Sequence, residues 1–397
     1  MNASNVLVWL NFFVADVRDG LGAFLGVFLM QNGFGESQIG LIGTISHIIA
    51  LVFGIPCGIF VDKTSHKKEF IGFFIALIVI FCSLNYFFPS FYFTLIAQSL
   101  SALSGVFLAP AFAALTLGIV GAKAYPLQCA RNEAYKHAGT VFGAALSFVF
   151  ALYFGIVSVF IITAFLGGFA LVVLAFIKKE SIDDKGARGE LTRQKSIQIW
   201  ALFKDAKVLF LCLVMFCFHL SNAHMLPLLS QRAHAQGVDS SGAYAAATVL
   251  IAQTTMILTA FLCGRLIHKK NFKLYFWLFF ACFFALILRA GVAANFSQIP
   301  AMIAVQILDG VGAGVSGVIL PVLVVFILRG SGHINAGLAL ILTCGGLGAA
   351  LSASAGGYFA EFHSYFSAYL FLGGVSGVGL LLWIFGAKFA LKDEFKA

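Results

Sequence analysis

The 397-residue chain is 61% hydrophobic and only 10% charged, against the ~25% charged residues of a soluble domain, which excludes a water-soluble enzyme or signalling module and reads as a membrane protein. A net charge of +9 would suit nucleic acid, but the basic residues sit in short loops between apolar spans, where they set orientation. The eight cysteines form no C-x-x-C pair and fall in or beside apolar runs. They read as small buried residues, with no disulfide or zinc framework.

Twelve stretches come near the ~20 residues needed to cross the hydrocarbon: 6–31, 38–61, 69–88, 91–117, 127–153, 156–177, 206–229, 241–264, 272–294, 298–328, 334–359 and 364–388. The first is too long for a signal h-region and carries charges, so it is kept as a span. Those charges are Asp16, Arg18 and Asp19. A charge at that depth costs about 2.5–3.5 kcal/mol on insertion scales, so all three must look inward. Asp16 and Asp19 share one helical face, while Arg18 points about 100° away from Asp19 and needs a partner on another helix.

The loops assign the sides. With both termini in the cytoplasm, Lys63, Lys67, Lys68, Lys123, the cluster from Lys178 to Lys207, Arg265, Lys269, Lys270, Lys273, Arg329 and Lys388 all fall inside, and the outer loops offer only Arg232. That bias predicts a multi-pass membrane protein with both termini inside. Arg18, Arg131, Lys136 and Arg289 are left within or at the edges of spans. Residues 178–205 form the one long polar segment and divide the chain into a six-span bundle over 1–177 and another over 206–397. Their composition predicts a mobile or surface-lying linker.

The halves repeat one another. Gly58-Ile-Phe-Val-Asp62-Lys63 ends span two as Gly264-Arg-Leu-Ile-His268-Lys269 ends span eight, and Gln98 in span four matches Gln306 in span ten, at offsets of 206 and 208 residues. Two parallel repeats predict a substrate site near the membrane midplane, where the halves meet.

Gly58-Ile-Phe-Val-Asp62-Lys63-Thr-Ser-His66-Lys67-Lys68 resembles the G-x-x-x-D-R/K-x-G-R-R/K signature of the major facilitator superfamily (MFS). With twelve spans and a central loop, the resemblance covers essentially the whole chain. It implies an all-α membrane protein with two six-helix bundles related by a pseudo-twofold axis. It also implies that Gly58, Asp62, Lys63, Lys67 and Lys68 belong to a cytoplasmic gate. The chain departs from family patterns at Gln98, where many members carry a membrane-embedded Arg, and at Gly139-x-x-x-Gly143, which lacks the Gly-Pro signature of drug/proton antiporters.

The resemblance directs spans one, four, seven and ten to the central cavity. They carry Asp16, Arg18 and Asp19, then His219, Asn222 and His224, then Asp309. Asp16, Asp19, His219 and Asp309 fall within about 5 Å of the midplane at ~1.5 Å per residue. A desolvated carboxylate there resists ionisation and a nearby Arg favours it, a balance suited to coupling. The plainer readings are an ion pair of Asp16 or Asp19 with Arg18 or Arg131 that fixes packing, and an Asp309 satisfied by neighbouring hydroxyls or backbone. His219 and His224 either hydrogen-bond neighbours or relay protons, and spacing gives little support for a metal site made with Asp16, Asp19 and Asn222. Glu133 meets Lys136 or His137 one turn away and, with Arg131, reads as a charge latch near the cytoplasmic face. The glycines at 310, 312, 314 and 317 permit close helix approach.

The sequence therefore predicts a monomeric secondary active transporter that moves a small polar or zwitterionic organic solute by alternating access, coupled to protons and surrounded by lipid. It needs no cofactor beyond the proton gradient and binds no metal. No P-loop and no nucleophile, base and orienter set is found, which argues against an ATP-driven pump or an enzyme. A siderophore, metal-chelate or metal-ion permease, drug efflux, and a non-transporting membrane sensor are the competing readings.

Overall fold

The structure is a computed structural model that describes residues 3–18, 25, 28–29, 31–34, 36–190, 199–236, 243–267 and 271–391. Among the described residues every regular element is a helix: α1 Ala3–Arg18, α2 Glu36–Lys63, α3 Lys67–Phe87, α4 Phe91–Phe154, α5 Val157–Ala175, the short α6 Asp184–Ala187, α7 Ala206–Asn222, α8 Met225–Ala235, α9 Ala243–Leu266, α10 Phe272–Asn295, α11 Ile299–Leu328, α12 Ile334–Phe362 and α13 Tyr365–Leu391, with two 3-10 turns at Lys179–Ser181 and Ile199–Lys204. Ten stretches among them are long and apolar enough to cross a membrane.

Two helices carry breaks that matter. The 64 residues of α4 would extend about 96 Å, some three times the hydrocarbon thickness. At Gly121 the backbone turns to φ 70° and ψ 165°, a conformation open to residues without a Cβ, and the two arms are the expected fourth and fifth spans. Span seven, expected to run unbroken over 206–229, is interrupted between α7 and α8 at Ala223 and His224. Pro227 lies four residues beyond Ala223, so its ring excludes the Ala223 carbonyl and no N–H is available to bond it. Backbone groups beside the break meet side chains: the His224 N–H donates to Ser352 Oγ at 3.1 Å, and the Asn222 carbonyl accepts from Arg289 Nη1 at 3.5 Å. Irregular backbone inside a membrane protein is tolerated where protein satisfies it in this way.

The chain divides into two compact units, Met1–Ser196 with Arg329–Ala339, and Ile197–Leu328 with Leu340–Ala397. In the first, buried residues recur at helical spacing, as in Ile71, Ile75, Ile78 and Cys82 of α3, and pack with Leu7, Leu10 and Val14 of α1 and Phe107, Leu108 and Leu115 of α4. The opposite face of α3 exposes Phe73, Ile80 and Phe87, as lipid contact requires. Part of the linker, expected to be mobile or surface-lying, packs in this unit. The Asp183 N–H donates to the Gly118 carbonyl at 3.0 Å, and Ala187 is buried.

In the second unit one stripe of α10, Phe279, Cys282, Phe283, Leu286, Arg289, Ala290 and Ala293, is buried. Trp383 of α13 stacks on Phe279 with ring centroids 4.5 Å apart and donates from Nε1 to the Phe276 carbonyl at 2.9 Å. A single arginine thus interrupts an otherwise apolar seam.

Candidate functional site

Arg289 is 0% exposed and Asp309 is 5% exposed. Arg289 Nη1 lies 3.0 Å from Asp309 Oδ1, and the same nitrogen donates to Asn222 Oδ1. The three residues come from α10, α11 and α7, and both charges sit about 7–8 Å from the midpoints of their helices. Beyond them toward the α10–α11 connection lies an apolar cap of Met225, Leu228, Ala290, Ala293, Met302, Val305 and Tyr369. Two opposite charges under such a cap stabilise each other, because removing either strands the other in a medium of low dielectric.

Every one of these contacts falls on Nη1. Arg289 Nε and Nη2 have no hydrogen-bond partner among the described residues, nor have Gln306 Nε2 and Oε1. Gln306 is 0% exposed and precedes Asp309 by one turn of α11. Tyr369 shares a buried cluster with Ala290, the residue after Arg289. Asp309 and Asn222 were foreseen as site residues, whereas Arg289 was left without a role. The signal was there: it is the single cation inside the apolar run 272–294 after Lys273, and the argument that turned Arg18 inward applies to it equally.

The residues expected to form a gate lie in the first unit, around the start of α12. Asp62 is 2% exposed. Its Oδ1 accepts from the Asn335 N–H at 3.2 Å and from Asn335 Nδ2 at 2.8 Å, and its Oδ2 accepts from the Ala336 N–H at 2.8 Å. A carboxylate supplied from α2 therefore caps the first turn of α12, where unpaired N–H groups and the helix dipole both favour negative charge. Gly58, one turn back, allows the approach: a Cβ there would fall 2.8 Å from the Asn335 carbonyl oxygen and onto the Ala339 methyl.

The linker completes the arrangement. Asn335 Nδ2 also donates to the Ala187 carbonyl at 2.9 Å, and Lys67, 1% exposed, reaches Asp184 at 2.9 Å. Lys68 turns instead to the Ala175 and Ile177 carbonyls, and Lys63 is exposed.

Several expected residues sit elsewhere. The side chains of Asp16 and Arg18, and all of Asp19, lie outside the described residues. Arg131 donates to Ser4 Oγ at 3.1 Å and Asn5 Oδ1 at 3.0 Å at the start of α1. Glu133 pairs with Lys136 and lies 3.7 Å from His137 Nε2. It is about 18 Å along its arm from Gly121. The side chains of His219 and His224 approach the backbone of Gly345 and Gly356 on α12. No group of three metal-ligating side chains occurs among the described residues.

Membrane-length helices, a buried charge pair and a carboxylate fastening a helix start together describe a multi-pass membrane carrier. Comparison with known proteins identifies its kind. The model of the Major Facilitator Superfamily matches residues 7–294. An uncharacterized MFS-type transporter of Mycobacterium tuberculosis H37Rv, Rv2456c, is 30% identical over 382 residues, spanning 94% of this chain and 90% of the relative. The chain belongs to the major facilitator superfamily and is a multi-pass membrane transporter.

Solved structures agree on the fold. The transporter FucP in its outward conformation aligns with a TM-score of 0.75 at 14% identity, covering 96% of this chain and 98% of its own. The human organic anion transporter MFSD10 (TETRAN) aligns at 0.74 and 12% identity, covering 96% and 100%. The expected all-α MFS fold is borne out.

Proposed function

We propose that the protein is a secondary active transporter that moves a small polar or zwitterionic organic solute by alternating access, with Asp309 carrying the coupling proton. The observation that supports this reading is the buried ion pair of Arg289 and Asp309, flanked by Asn222 at a helix break. Protonating Asp309 removes its hold on Arg289 and leaves the guanidinium for solute; losing the proton restores the pair. Pro227 leaves the Ala223 carbonyl without its helical donor, a further polar ligand next to Asn222. The same fold serves the E. coli fucose:proton symporter FucP, so proton coupling is within its reach.

Asp62, Asn335 and Ala336 form the gate in this account. Their contact opens and closes as access alternates, while the solute binds elsewhere. The basic loops support a gate and both termini on the cytoplasmic side of a bacterial inner membrane.

Counterflow tests the reading. Purified protein in liposomes preloaded with an unlabelled solute should transiently accumulate the labelled form without any imposed gradient. The test panel comprises amino acids, hydroxy acids, sugars and their amides. Exchange of at least one solute, with loss in Arg289→Gln, is expected; absence of exchange for every solute contradicts it.

A further inference from the structure

We propose that the solute bears a carboxylate, that this carboxylate takes the Nε–Nη2 edge of Arg289, and that one proton travels with it on Asp309. The inference rests on the transporter reading above and deepens it to a substrate class and a charge balance.

A guanidinium has five N–H donors in a fixed planar fork. Asp309 and Asn222 both meet Nη1. The Nε–H and the two Nη2 hydrogens have no partner among the described residues, although Arg289 is 0% exposed. Buried donors without acceptors are unfavourable, and the Nε–Nη2 edge is one that two carboxylate oxygens match with parallel hydrogen bonds. Lysine would provide only a point charge. Gln306, wholly buried one turn from Asp309 with neither Nε2 nor Oε1 partnered among the described residues, adds one donor and one acceptor for the rest of a polar solute. Beside Arg289, Asp309 is 5% exposed and Asn222 is partly exposed.

Charge conservation supplies the proton. Arg289 and Asp309 cancel, so an arriving carboxylate would leave one negative charge next to Met225, Leu228, Ala290, Met302 and Val305, where an uncompensated charge is strongly disfavoured. A proton on Asp309 restores neutrality and releases Nη1 to the incoming anion. The groups around Asp309 are Arg289 from α10 and Asn222 from α7, with Tyr369 of α13 in the buried cluster that holds Ala290. From α9, the residues packed against the neighbouring Gly310 are the uncharged Ala252 and Thr255. His219 and His224 turn to Gly345 and Gly356. Asp309 is thus the carboxylate of the set that sits against the site.

The experiment uses full-length protein in liposomes and paired probes: lactate against lactamide, propionate against propionamide, and an amino acid against its amide, with a neutral sugar alongside. The acid of at least one pair should exchange and its amide should not. Arg289→Lys should raise the half-saturating concentration of that acid at least about tenfold, through loss of the bidentate fork. Monocarboxylate uptake should follow a pH gradient and ignore a potential clamped with valinomycin and potassium. Asp309→Asn should still exchange the acid, without the pH dependence of the wild type. Arg289→Gln with Asp309→Asn, which strands no buried charge, serves where the single variants misfold and should not exchange the acid.

Equal exchange of acid and amide, exchange of the sugar alone, or acid exchange intact in the double variant overturns the inference and leaves the transporter reading standing. Failure of every probe, the sugar included, removes both.

Discussion

Neutralising Asp309 and Arg289 separately and together should reveal whether the two side chains behave as one energetic unit. Asp309→Ala leaves a guanidinium that is 0% exposed with Asn222 as its remaining polar ligand, and such a stranded charge costs about 3–5 kcal/mol of stability. Arg289→Gln strands a carboxylate that keeps a 7% exposed side chain, so its loss should fall at the lower end of that range. Arg289→Met with Asp309→Leu removes both charges and fills the space. Replacing a buried pair by apolar groups is commonly neutral or stabilising. The double variant should therefore be more stable than either single one, with a coupling of several kcal/mol. Denaturant titration in detergent micelles, followed by circular dichroism, of the wild type, Arg289→Met, Asp309→Leu and the variant that combines them measures all four corners of the cycle. Additive losses, with the double variant the least stable, would refute the argument.

Two further outcomes follow from the helix ends. Asp62→Ala should orphan the Asn335 and Ala336 N–H groups, each worth about 1–3 kcal/mol when buried, and accelerate their hydrogen exchange. Asp62→Asn should slow transport cycling with little change in equilibrium solute binding, and a large affinity loss with normal cycling contradicts the gate. Pro227→Ala restores a backbone donor four residues after Ala223 and should let α7 continue into α8, drawing Asn222 from Arg289 and His224 from Ser352. Reduced transport with increased helicity is expected, and unaltered transport would show that the break is incidental.

Much of the architecture was legible because hydropathy alone sets helix length in a membrane. The expected spans 272–294, 298–328 and 334–359 lie within one or two residues of the starts of α10, α11 and α12. Pairings across the chain were not legible. Asp62 meets a residue 273 positions away, and while any helix start needs acceptors, nothing in the sequence says which carboxylate provides them. Arg289 was visible as a cation in an apolar run, and Asp309, twenty positions on, was read as a coupling carboxylate, but nothing in the sequence joined the two. The linker's composition suggested a mobile or surface-lying segment, but it did not name the partners met over 179–190: Asp184 offers the anion that buried Lys67 requires, and the Asp183 backbone N–H donates to the Gly118 carbonyl. Pro227 did carry readable information, since proline inside a span predicts a break four residues earlier.

The most direct measurement of the account is solute movement by Asp309→Asn in liposomes, recorded with and without a pH gradient. If Asp309 carries the coupling proton, the variant should exchange solute across the membrane yet fail to accumulate it against a concentration gradient when the pH gradient is applied, while the wild type does both. Accumulation by Asp309→Asn equal to that of the wild type would contradict the account.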